Sequence, residues 1–416
     1  MKSNHTPEIR FSGFVQNWEQ HKLLDNVERV LDFRGKSPVK FGMKWGKSGY
    51  LVLSALNVKN GYIDKNLEAK YGNQALYERW MGKEHLEKGD VVFTTEAPLG
   101  NVAQIPDDNL YILNQRAVGF KTKEEETDNN FLAQLMRSPF FQRKLKASAT
   151  GGTAKGIGMK EFAKLEVIVP TSVEEQKKIG GFFKKIDETI TLHQQELATL
   201  KQTKQGFLQK MFPKEGESLP ELRFPGFNEG WQLHKLNEVA EIIGGGTPKS
   251  GVSEYWNGNI DWYSPTEIGK EIYAFGSRRR ITDLGLKKSS AKILPASKTI
   301  LFTSRAGIGD MAILKKDGAT NQGFQSLVIN SDYDVYFVYS LGFKIKEYAL
   351  KNSAGSTFQE ISGRVLGEMD LFLPTFEEQS VIGAFFKKLD EIINIIQQEL
   401  EALKQTKKAF LQKMFI

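Results

Sequence analysis

Two groups of residues in this 416-residue chain are of types suited to reading base pairs or gripping phosphate. In the second half, "FGSRRRI" sets Arg278, Arg279 and Arg280 in a row, and "FTSRAG" adds Arg305. In the first half, Lys36 and Lys47 lie in "FRGKSPVKFGMKWGKS", Asn57 in "SALNVKNGY" and Thr153 in "TGGTAKG". Arginine and lysine donate to guanine edges, asparagine pairs with adenine, and threonine or backbone amides meet phosphate oxygens. Solvated turns of any globular domain carry the same residues, so the stretches alone decide nothing. The balance of 57 Lys+Arg against 50 Asp+Glu, a net charge of +7, tilts the reading toward a polyanionic partner.

Other chemistries fail on spacing. "GMKWGKS" resembles a phosphate loop but has three residues between its first glycine and Gly-Lys where four are needed, and Phe41 stands where glycine is required. "GGG" at 244–246 lacks dinucleotide spacing, and there is no HExxH, no GxSxG and no Asn-Pro-Pro or Asp-Pro-Pro motif of amino-methyltransferases. With 5 scattered histidines and no cysteine, disulfides, thiolate metal sites and cysteine nucleophiles are excluded and no metal or catalytic residues are nominated. No apolar run approaches the roughly 18 residues of a membrane span, and the polar start Met1–Pro7 lacks a signal-peptide core, so the cytoplasm is the expected location.

The elements that must position these residues announce themselves by repetition. "FFKKIDETITLHQQELATLKQTKQGFLQKMF" from Phe182 aligns without a gap to "FFKKLDEIINIIQQELEALKQTKKAFLQKMF" from Phe385, with nine differences. Upstream, "PEIRFSGF", Trp18 and His21-Lys22 recur as "PELRFPGF", Trp231 and His234-Lys235, and Pro170 with Glu174-Glu175-Gln176 recurs as Pro374 with Glu377-Glu378-Gln379. Weaker echoes persist inside: "VVFTTEAPLGNVA" against "ILFTSRAGIGDMA", Asn114-Gln115 against Asn321-Gln322, and "TGGT" against "AGST". Matching connectors with divergent interiors suit two similar modules that each recognise something different.

Within the connectors, Ile179, Phe183, Ile186, Ile190, His193, Leu197 and Leu200 follow steps of four and three, as do Ile382, Phe386, Leu389, Ile393, Ile396, Leu400 and Leu403. A sustained period of 3.5 marks helices that pair as coiled coils. A helix from Glu174 to Met211 would be roughly 57 Å long at 1.5 Å per residue. Lys204 and Lys407 continue the seam, where long stems are expected to snorkel toward solvent. His193 is read as a packing or register residue, and Lys177, Lys178, Lys184, Lys185, Lys201 and Lys210 as a solvated face or, alternatively, a phosphate-facing stripe.

Short apolar runs such as "YLVLSAL", "DVVFTT" and "TILFTS", separated by turns and followed by helical stretches, mark the remainder as mixed α and β. Phe212-Pro213 and "KEGESLPE" break the first connector. The division is therefore 1–169, a first mixed domain; 170–212, a first long helix; 213–373, a linker and second mixed domain; and 374–416, a second long helix. The fold class is α+β.

The "PE(I/L)RF.GF" starts, "P…EEQ…IG.FF" helix beginnings and "LKQTK..FLQKMF" helix ends resemble the specificity (S) subunit of type I restriction–modification systems over nearly the whole chain. The resemblance implies two target-recognition domains that each bind half of a bipartite asymmetric DNA sequence, and two spacer helices that pair antiparallel. It further implies docking of methyltransferase (M) subunits, expected to be two, and of restriction (R) subunits through the assembled complex. S-adenosylmethionine, ATP and Mg would then reside on those partners, with no cofactor in this chain. The competing readings are a stand-alone DNA-modifying enzyme with a cryptic site and a coiled-coil scaffold that binds only proteins.

Overall fold

The apolar runs "DVVFTT" and "TILFTS" become central strands because both of their faces are covered. In the computed structural model, which describes residues 5–67, 69–123, 125–305, 307–355 and 359–416, Val91–Thr94 lies between Ala117–Thr122 and Val102–Gln104. Val27–Leu31 completes this four-stranded antiparallel sheet. Side chains alternate across a strand. Val91 and Phe93 therefore join a core with Trp18, Phe131, Phe141 and Phe162, while Val92 joins a second core with Leu53, Trp80 and Ile112. A three-stranded sheet of Tyr71–Gly72, Tyr50–Leu53 and Tyr111–Leu113 roofs that second core.

The second half repeats the arrangement. Thr299–Phe302 lies between Gln325–Ile329 and Met311–Leu314, with Ala240–Gly244 and Tyr273–Ala274 as the outer strands of five. Ile300 and Phe302 enter one core and Leu301 another, to which the three-stranded sheet of Arg279–Ile281, Trp256–Tyr263 and Gly318–Thr320 contributes Tyr263.

The repeated motifs are the clamp that fastens each domain to its helix. Arg10 of "PEIRF" grips Glu175 with two bonds, 2.6 and 2.8 Å, and Arg223 grips Glu378 with 2.6 and 2.7 Å. Planar guanidinium matches carboxylate in this two-pronged geometry, and both carboxylates are almost fully buried. The next residue, Gln176 or Gln379, donates to the carbonyl of Pro170 or Pro374 and accepts the amide of Asp128 or Asp334. Those aspartates cap the helices that begin at Asn129 and Val335. Gly180 and Gly383 are required by this approach: a methyl group there would come within 2.5 and 2.3 Å of the capping carboxylates. Strand Glu19–Lys22 on Glu166–Val169, and Gln232–Lys235 on Asp370–Leu373, close each clamp.

Contacts divide the chain into Met1–Gln195 with Gln398–Ile416, and Glu196–Gln397. This division falls inside the long helices Val173–Lys210 and Phe376–Lys413, because the helix ends are built into the globular cores. Ile179, Phe183, Met414 and Phe415 belong to the first core, and Met211, Phe212, Ile382 and Phe386 to the second. Within the first unit the helix segments run antiparallel, Phe182 meeting Phe410 at 5.0 Å and His193 reaching Glu399 at 3.5 Å. Within the second, Phe207 meets Phe385 at 5.1 Å. The seam read from the sequence is the sheltered face: Ile179, Phe183, Ile382, Phe386, Ile393 and Leu400 are buried, and Ile186, Ile190, Leu197, Leu200, Leu389 and Leu403 are half-buried.

The seam lysines do not snorkel. Lys407 is only 6% exposed and bonds Asp187, which also receives Arg137 at 2.9 Å and Gln134 at 3.0 Å. Lys204 bonds Asp390 at 2.5 Å, and the Tyr336 hydroxyl donates to the same carboxylate at 2.9 Å. A carboxylate on the facing helix, buried for Asp390 and half-buried for Asp187, holds each ammonium in the seam, since leaving a buried charge unpaired there would cost several kcal/mol, on the order of 3–5.

Candidate nucleic-acid interface

Where the strands of each domain end, the backbone itself builds a rim. In the first unit the Gln115 amide donates to the carbonyl of Lys36, Thr95 N–H donates to Arg116 O at 2.9 Å, and Ile157 N–H donates to Thr95 O at 3.0 Å. Gly156 bridges both Thr150 and Glu96. Four loops are thereby laced side by side. In the second unit the Thr247 hydroxyl donates to Gln322, Ser304 N–H donates to Gly323 O at 2.8 Å, and Ile361 N–H donates to Ser304 O at 3.1 Å. Glu360 bridges Ala354 and Arg305 there. The paired Asn-Gln echoes are the centre of the clasp, a role the sequence reading did not give them. The "GGG" run serves the same lacing: a side chain on Gly245 would come within 2.0 Å of the Asn321 carbonyl.

Of the residues proposed from sequence, Lys36, Thr153 and Arg305 fall on these rims, in different states. The backbone of Lys36 is in the clasp, but its ammonium turns inward to the Trp80 carbonyl and lies 4.6 Å from the Phe33 ring, and burial lowers its pKa. Thr153 is exposed on the Thr150–Gly156 loop, and Lys47 is exposed on the turn beside Tyr71. Arg305 lies on the rim, donating to Gln322 O at 2.7 Å with Glu360 at 3.7 Å. Of "AGST", Ser356 and Thr357 lie outside the described residues.

Asn57 must be withdrawn as a DNA contact. It is fully buried, accepts the amide of Ser54 at 2.7 Å and donates to Val52 O at 2.8 Å. Glu267 does the same work in the second unit, accepting the amide of Ser264 at 2.9 Å. "SALN" and "SPTE" are one turn, clamped three residues on by a side-chain oxygen. Glu267 also accepts the amide of Arg278 at 2.6 Å, which ties the arginine triplet to this turn.

The triplet is not uniform. Arg279 lies 3.6 Å from the Trp256 ring centroid and 5.4 Å from that of Trp262. Arg280 reaches buried Asp261 at 3.2 Å, and Lys316 joins the same carboxylate at 2.9 Å. Burial alone would raise the Asp261 pKa, but Lys316, the Ser277 amide and Arg280 outweigh it and hold the carboxyl below its ordinary range. Arg278 is exposed and its guanidinium has no carboxylate partner among the described residues. The surface thus presents one free arginine beside two that are oriented from beneath.

Comparison with known proteins gives a consistent picture. The family profile described as "Type I restriction modification DNA specificity domain" matches residues 16–202 and 228–405. The MjaIX specificity subunit of Methanocaldococcus jannaschii is 36% identical over 191 residues, 45% of this chain and 44% of that one. The MjaVIII specificity subunit from the same organism is 24% identical over 426 residues, covering 98% of this chain and 94% of its own. Among solved structures, the type I restriction–modification S subunit from M. genitalium superposes with a TM-score of 0.66 at 17% identity, covering 99% of both chains. A chain from a study of assembly and conformational transition of the type I R-M system gives 0.52 at 19% identity, over 95% of this chain and 97% of that one. These two likenesses establish the fold.

Proposed function

Because this chain belongs to the type I restriction–modification DNA specificity family, we propose that it is the non-catalytic specificity subunit of such a complex, each rim reading one half of a bipartite asymmetric target. The observation that carries this reading is the pair of rims laced by the same backbone circuit yet tipped with different side chains, Glu96 on one and Arg305 on the other. The long helices dock methyltransferase subunits, two in number, and set the count of unread base pairs. S-adenosylmethionine, ATP and Mg belong on the methyltransferase and restriction subunits. No helix among the described residues is long and apolar enough to cross a membrane.

Footprinting of the complex reconstituted with its methyltransferase subunit tests the reading. Two short protected blocks separated by unprotected base pairs are expected, with affinity falling steeply as salt rises through counterion release. A single continuous block, or activity of the isolated chain on DNA, contradicts it. No sequence-selective protection even with partners present would instead favour a protein-binding scaffold. Insertion of four residues into both long helices adds about 6 Å and is expected to change the preferred gap by one or two base pairs.

A further inference from the structure

A cleft of about 550 Å³ opens in the second unit between the base of the five-stranded sheet and the first turns of Phe376–Lys413. It lies at the end of the sheet away from the rim. Arg305 follows the end of Thr299–Phe302 and Gln322 precedes the start of Gln325–Ile329, whereas the cleft is lined by Lys298 and Ile329 at the opposite ends of those strands.

Its charge is one-sided. Lys298, Lys315 and Lys387 line it, all exposed and none within ion-pair distance of a carboxylate among the described residues. Lys315 instead sits 4.5 Å from the ring centroid of Tyr273. Asp334, the one acidic residue of the lining, accepts the amide of Phe337 at 2.7 Å and is in electrostatic reach of Lys387, which leaves Lys298 and Lys315 as the two cations with no acidic neighbour in the lining. Tyr333 and Phe376, the latter 46% exposed, supply apolar wall, and Ile395, 53% exposed, continues the same helix face three turns beyond Ala384.

The corresponding region of the first unit keeps exposed Lys184 in the place of Lys387 and Leu192, 63% exposed, in the place of Ile395, but lacks the other two cations. Gly89 and Pro106 stand where the second unit has Lys298 and Lys315. Gln104 ties the Gly89 carbonyl at 3.0 Å to Asn130 at 3.2 Å, and Lys121 is neutralised by Glu87 at 2.9 Å and Asp90 at 3.3 Å. Lys298 and Lys315, with no carboxylate partner among the described residues, beside tyrosine walls and an apolar helix face, favour an elongated occupant that carries both carboxylates and an apolar side chain. The distance from the rim, set by the length of the sheet, speaks against target DNA.

We propose that this cleft holds an acidic, chain-like segment of a methyltransferase subunit, with its carboxylates on Lys298, Lys315 and Lys387 and an apolar side chain against Tyr333 and Phe376. The assignment rests on the specificity-subunit reading and gives the second half a protein contact that the first lacks.

Carbodiimide coupling, which joins an amine to a carboxylate in direct contact, tests it on the wild-type complex with its methyltransferase subunit in the absence of DNA. Mass spectrometry is expected to find one or more of the three lysines joined to an Asp/Glu-bearing peptide of that subunit. The double variant Lys298→Glu/Lys315→Glu is expected to bind the subunit at least about tenfold more weakly, the loss of roughly one well-placed charge contact. Absence of these crosslinks, or wild-type assembly by the variant, overturns the assignment. Weakening that appears only after DNA is added overturns it too and makes the cleft a phosphate contact. The wild-type footprint, run in parallel, reports separately on the specificity-subunit reading: two protected blocks beside a variant that assembles normally sink the cleft alone.

Discussion

The two rims are built alike and finished differently. Each is laced by a glutamine from an Asn-Gln turn and by a bridge to a neighbouring loop, yet one carries Glu96 paired with Arg116 at 2.7 Å where the other carries Arg305. The difference teaches that backbone bonds hold the shape while the side chains at the tips are free to change. The frames below show the converse, since Arg10–Glu175 and Arg223–Glu378 agree almost bond for bond. A residue that closes a buried charge pair cannot drift without leaving its partner alone.

The largest expected effects break the frames. Glu175→Ala and Glu378→Ala each leave a guanidinium facing a buried void and are expected to destabilise their own unit by about 3–5 kcal/mol. The first should cost more, because Glu175 also accepts the Trp18 indole at 3.2 Å, whereas the Trp231 indole has no bond among the described residues. Limited proteolysis resolved by half-chain, beside chemical denaturation, checks both direction and order.

Next come the seam lysines. Lys204→Met leaves Asp390 with only the Tyr336 hydroxyl and is expected to cost about 2–3 kcal/mol, while Lys407→Met leaves Asp187 with Arg137 and Gln134 and should stay within about 1 kcal/mol of wild type. Lys407 also carries a pH response. Burial first, and Arg137 second, push the Lys407 ammonium down to about 8 from an ordinary 10.5. A lysine whose folded value lies below its unfolded value holds its proton better when unfolded, so stability gains from this group as pH climbs from about 8 to about 10.5. Lys407→Met should abolish that gain and Lys204→Met should retain it, as read from denaturation midpoints between pH 7 and 10.

Smaller effects sharpen the comparison of the rims. Arg305→Ala is expected to weaken binding by about 1–2 kcal/mol, roughly tenfold, and to relax discrimination in one half of the target only. Glu96→Ala should change affinity less than about threefold, within the worth of a surface ion pair. Binding to duplexes substituted in one half at a time measures both. Gln115→Ala and Gln322→Ala should each cost about 0.5–1.5 kcal/mol of stability by loosening one clasp bond.

The helix seam was legible because a 3.5-residue period sorts sheltered from exposed positions without knowledge of the partner. The duplication likewise announced two like domains. The partners of Lys204 and Lys407 were not legible, since Asp390 and Asp187 lie 186 and 220 residues away and read locally as ordinary helix-surface acids. Asn57 was misread because a turn clamp and a base-reading amide look the same in one sequence. Only its match with Glu267, three residues after an equivalent serine, separates them. Similarly, the Trp256 ring beneath Arg279 and the Asp261 carboxylate beside Arg280 come from a neighbouring strand that the arginine triplet does not predict.

The measurement that bears most directly on the central claim is made on a chain whose second recognition domain, residues 220–373, is replaced by another copy of the first, with both helices retained. If each rim reads its own half of the target, the complex should protect a sequence whose two halves are inverted copies of one another. Protection of the original asymmetric sequence by this chain would contradict the account.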